Sequence, residues 1–79
     1  MTVHVVSDGY KIVVRRGVRK LEEVPVFPGP HVTTQDAQFV KIIEAVEDEL
    51  KSKLDFAQRT QIQALLFAPW PVRVLEFKA

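Results

Sequence analysis

The run Glu44-Ala45-Val46-Glu47-Asp48-Glu49 is the densest acidic stretch of the sequence. It is the first place to look for a divalent cation or a general acid–base pair. On a helix, Glu44, Glu47 and Asp48 would share one face. The same spacing has a plainer meaning. Glu47 stands four residues before Lys51, and Glu49 four before Lys53. That is the favoured orientation for weak ion pairs on a solvated helix face, which is the expectation here.

Nucleophile chemistry has little to draw on. The histidines are His4 and His31, and the serines are Ser7 and Ser52. No spacing among them supports a Ser–His–carboxylate set or a two-histidine metal site. The three glycines, at 9, 17 and 29, each lie beside a turn rather than in a phosphate loop. No nucleophile elbow is present. Thiolate catalysis, disulfides and cysteine-based metal centres are excluded, because the chain has no cysteine. The expectation is a protein that is not an enzyme and that uses no cofactor or metal.

Cations are the one clear cluster. Lys11, Arg15, Arg16, Arg19 and Lys20 fall within ten residues. Such a group can follow nucleic-acid phosphates or meet an acidic protein surface. Base stacking needs aromatic rings among the cations, and Tyr10 is the nearest one. Ordinary solvation of an edge hairpin is the bland alternative, since Lys and Arg also discourage strand-to-strand aggregation. Trp70, held between Pro69 and Pro71, is either a preorganised contact point or a core plug.

The elements that would position these groups follow from pattern. Thr2–Val6 and Tyr10–Val14 are rich in β-branched residues and read as strands. Asp8-Gly9 between them suits a two-residue hairpin loop that needs positive φ. That loop would set Ser7 opposite Tyr10, Val5 opposite Ile12 and Val3 opposite Val14. A second loop at Arg16-Gly17 would set Ile12 opposite Leu21 and Lys11 opposite Glu22. One face of the ribbon then collects Val3, Val5, Ile12, Val14 and Leu21 as the core face. The other collects His4, Val6, Lys11, Val13, Arg15, Lys20 and Glu22. Pro25 marks an edge strand or an exit. Pro28-Gly29-Pro30 turns the chain into a helical half.

Thr33 and Thr34 are candidate N-caps. Phe39, Ile42, Ile43, Val46, Leu50 and Leu54 recur at helical steps over 35–54. Asp55 is placed to cap a second helix over Phe56–Phe67, with one long bent helix as the alternative. Ala68-Pro69-Trp70-Pro71 stops the helix, and Val72–Phe77 reads as a last strand that joins the N-terminal sheet.

The fold expected is α+β: a small antiparallel sheet in β-β-β-α-α-β order, with one or two helices packed on one face. The whole of 1–79 is read as one compact domain, with a hairpin half at 1–27, a helical half at 33–68 and the strand at 72–77. Apolar residues at 47% and charged residues at 27% fit a globular chain rather than a disordered one. A net charge of +1 is too small to signal a nucleic-acid or membrane partner by itself. No apolar stretch reaches the roughly 18 residues a membrane span requires. No leader peptide is visible, and the lack of cysteine fits a reducing, cytoplasmic setting. Signatures of helix-turn-helix, RNA-recognition and cold-shock domains are missing.

The function expected is a binding module that docks on a larger protein, as a regulator or inhibitor. It would use the basic hairpin face or an exposed edge strand. Its contact residues would be Lys11, Val13, Arg15, Arg16, Arg19, Lys20 and Trp70. A nucleic-acid-binding accessory protein using the same cations is the first alternative. A small homo-oligomer subunit is the second, since a thin core gains from association.

Overall fold

The computed structural model describes residues 1–25, 32–67 and 72–79. Strand β1 (Thr2–Ser7), β2 (Lys11–Arg16) and β3 (Arg19–Pro25) are followed by helices α1 (Val32–Leu50) and α2 (Phe56–Phe67), then by strand β4 (Arg73–Lys78). The strands form one antiparallel sheet in the order β3-β2-β1-β4. The last strand closes on the first, and the Ala79 N–H donates to the Met1 carbonyl at 3.1 Å. The α+β class and the joining of the C-terminal strand to the N-terminal sheet both hold.

Both turns sit one residue further along than the sequence suggested. Asp8 pairs with Lys11, leaving Gly9-Tyr10 as the loop. The Asp8 N–H donates to the Lys11 carbonyl at 3.2 Å. In return, the Asp8 carboxylate accepts the N–H groups of Tyr10 at 2.9 Å and Lys11 at 2.8 Å. Gly9 has a φ of 93°, the positive value that a two-residue hairpin with glycine first requires. The register therefore sets Val5 opposite Val14 and Ser7 opposite Ile12. This is a shift of two, so no side chain changes face. Val3, Val5, Ile12 and Val14 are all fully buried, as the sequence pattern required.

The second hairpin turns on Gly17-Val18, with Gly17 at a φ of 61° and Arg16 opposite Arg19. Here the register changes by an odd step. A bulge between Val14 and Arg15 leaves Lys20 opposite Arg15 but Glu22 opposite Val14. Leu21 still packs against the core, as expected. Glu22, expected on the outer face, lies instead across from a core residue. Glu23 takes the outer position opposite Val13.

The helices cover one side of the sheet. Val3, Val5, Ile12, Val14, Val24 and Phe77 from the strands share a core with Ile42, Ile43, Val46, Leu50, Ile62, Leu65 and Leu66 from the helices. The Gln38 amide, buried on α1, donates to the Pro25 carbonyl and ties that helix to β3. α1 begins at Val32, which places the backbone of Thr33 and Thr34 within its first turn.

Two helices form, not one bent helix. α1 stops at Leu50 because Lys51 enters the left-handed region, with a φ of 55°. The Ser52 N–H then donates back to the Glu47 carbonyl at 3.3 Å, a Schellman closure. Leu54, expected on the first helix, lies beyond its end yet remains buried in the core. Asp55 does cap α2. Its carboxylate accepts the Gln58 N–H at 2.8 Å, while the Gln58 side chain accepts the Asp55 N–H at 2.9 Å.

Candidate binding face of the sheet

With both helices on one side, the alternate residues of each strand form a face that no described element covers. Its central row runs across all four strands as Glu23, Val13, Val6 and Val74. The next row is Lys20, Arg15, His4 and Glu76. Val6 and Val13 are half-buried by their neighbours in the sheet, and Val74 is 51% exposed. Val13, Val6 and Val74 are directly opposed in register, where Cβ atoms stand about 5 Å apart. They make a small apolar centre with charges around it.

The five predicted cations do not form one patch. Lys11 and Lys20 both reach Glu23, at 3.3 and 3.7 Å, on the open face. Arg15 lies on the same face and donates to the Gly17 carbonyl at 3.0 Å. Arg16 and Arg19 instead meet Glu49 of α1, at 3.0 and 3.9 Å. Strand alternation explains the split. Arg16 has the parity of Ile12 and Val14, so it points to the helix side. Val13 lies where it was expected, and Trp70 falls outside the described residues, as do His31 and the Pro28-Gly29-Pro30 turn.

Sequence reasoning missed three contributors to this arrangement. Val74 extends the apolar row, and alternation within the last strand was the signal for it. Glu23 sits between the two lysines only because of the bulge, which the sequence does not mark. Glu49 was assigned to Lys53. The helix ends before Lys53, which pairs with Glu47 at 3.7 Å.

The acidic run has a structural task at the junction of the helices. Glu47 accepts the Leu54 N–H at 2.8 Å and approaches Arg59 at 3.4 Å. The Leu54 N–H above all, with Arg59 and Lys53, holds the Glu47 carboxyl below its ordinary pKa. Asp8 is lowered for a similar reason, by the N–H groups of Tyr10 and then Lys11. Glu44, Glu47 and Asp48 line a depression with Lys51, Ser52 and Lys53. The cations there make it a poor cation site, and no cluster of three metal-ligating side chains occurs among the described residues.

Ser7 is fully buried on the helix side, whereas His4 lies on the open face beside Glu76 at 3.4 Å. The sheet thus separates the N-terminal serine from the N-terminal histidine. No helix among the described residues is long and apolar enough to cross a membrane. Comparison of the chain with protein-family models, with curated proteins and with solved structures finds no match.

Proposed function

We propose that this chain is a non-catalytic binding module that meets another protein on the open face of its sheet. The observation that carries the reading is the Val13–Val6–Val74 row, left uncovered by both helices and bordered mainly by cations. An apolar centre with a charged rim is the anatomy of a protein interface. Lys11, Arg15, Lys20 and Lys78 stand on this face against the carboxylates of Glu23 and Glu76. The fitting partner presents a small apolar patch edged by carboxylates. The rim sets association rate and choice of partner more than affinity. Arg16 and Arg19 are assigned to holding the hairpin tip on α1, not to the partner.

Nucleic acid is the less favoured occupant. Four of the five clustered cations already face a carboxylate of this chain, which lowers the charge available to phosphates.

Affinity capture from the native host's extract tests the proposal when wild type is compared with three variants. Arg15→Glu combined with Lys20→Glu, and separately Val13→Thr, should each lose the same identified protein. Phe67→Ser, on α2, should retain it. A captured set that is identical for all four proteins would overturn the reading. A gel shift with DNA or RNA at low salt, abolished by Arg15→Glu, would replace it with the nucleic-acid alternative.

A further inference from the structure

We infer that the outer edge of β4 is a self-association surface, on which a second copy of this chain adds its own β4 antiparallel about a two-fold axis at Leu75. The phase of the backbone hydrogen bonds leads there. The Ala79 N–H bonds the Met1 carbonyl, so the odd-numbered residues of β4 turn their peptide groups toward β1. Val74, Glu76 and Lys78 therefore turn theirs to the free edge. Among the described residues, no strand pairs with that edge.

The two edges of the sheet are treated differently. β3 ends in Pro25, carries the bulge and is the strand most in contact with α1. Those are the devices that keep an edge from recruiting another strand. β4 has no proline, glycine or bulge between Arg73 and Lys78. Its residues also suit their own antiparallel image. With Leu75 opposite Leu75 of the second copy, Val74 stands opposite Glu76, Arg73 opposite Phe77 and Val72 opposite Lys78. No like charges are directly opposed, and both partners of each bonded pair, Val74 and Glu76, have outward peptide groups. A register centred one residue later would set Glu76 against Glu76.

The product is a continuous eight-stranded sheet with both copies of the valine row on one side. Isologous two-fold pairing of this kind closes on itself, so it gives dimers and not fibres. It does not depend on the partner proposed above.

Sedimentation velocity across concentration, combined with two kinds of variant, tests it. Wild type should dimerise, and Val74→Pro should weaken the dimer about tenfold or more, because two outward N–H donors are lost per dimer. The β1 ladder keeps all its bonds in that variant, since the Val74 N–H is not part of it. Leu75→Cys adds the only thiol of the chain. In this register the two sulfurs come from a non-bonded pair with Cα atoms about 4.5 Å apart, within disulfide reach. Leu75→Cys should therefore cross-link on mild oxidation, and Glu76→Cys should not. Arg15→Glu with Lys20→Glu should leave the dimer intact. Wild type that stays monomeric to about 1 mM would overturn the inference. So would a dimer indifferent to Val74→Pro, or equal cross-linking through Glu76→Cys.

Discussion

The Glu47 carboxylate accepts the Leu54 N–H at 2.8 Å across the turn between the helices. The same residue's carbonyl closes the Schellman turn through Ser52. One residue thus fixes where α1 stops and how Leu54 returns to the core. Its side chain is only 10% exposed, so the bond is largely shielded from water. Glu47→Ala should lower unfolding free energy by about 1–3 kcal/mol, the usual cost of leaving a shielded hydrogen-bond donor without its acceptor. Glu47→Gln keeps an acceptor and should lose less. Urea titrations of the three proteins check the order.

The same carboxyl links stability to pH. Its pKa is lower in the folded chain than in the unfolded one. The unfolded state therefore binds the proton more readily, and the stability contributed by Glu47 is present at neutral pH. It is lost as the pH falls below about 4 and through the folded value. Asp8 acts in the same direction. Unfolding free energy measured from neutral pH into acid should fall less steeply for Glu47→Gln than for wild type. Parallel curves would remove Glu47 from the account.

Arg16 and Glu49 join the hairpin tip to the end of α1 at 3.0 Å. The arginine side chain is half exposed and the glutamate mostly covered. Screening at the arginine keeps the pair weak. A double-mutant cycle of Arg16→Ala and Glu49→Ala should give a coupling of about 0.3–1 kcal/mol that shrinks with added salt. A coupling that is unchanged at high salt would contradict the exposed geometry.

Gly17 is needed for its backbone alone. It sits at a φ of 61°, and a Cβ added there would touch nothing within 4 Å. Gly17→Ala should destabilise by about 1 kcal/mol through left-handed strain. Gly17→Asn should lose less, since asparagine tolerates that region better. Thermal unfolding of both variants discriminates strain from a steric clash, which would rank asparagine as the worse.

Much of the fold was legible because side-chain parity survives errors of turn placement. Taking Asp8-Gly9 for Gly9-Tyr10 moved the register by two and left Val3, Val5, Ile12 and Val14 on the core face. An odd step is a different matter. The bulge beside Leu21 exchanged Glu22 for Glu23 on the open face, and nothing in the local residues announces it. The end of α1 was hidden for a related reason. Leu54 continues the helical spacing numerically, although Lys51 has already left the helix. The division of the cations was legible in principle, since Arg15 and Arg16 are neighbours on a strand and must point opposite ways.

The meeting of Met1 with Ala79 bears on how the molecule can be re-cut. A linker of a few residues would span the gap from Ala79 to Met1, and the backbone could be opened at Gly17-Val18 without severing the pairing of β1 with β4. Sequence order and spatial order are thus partly independent here: the sheet's two middle strands are the first pair made, and the strand made last lies beside the one made first.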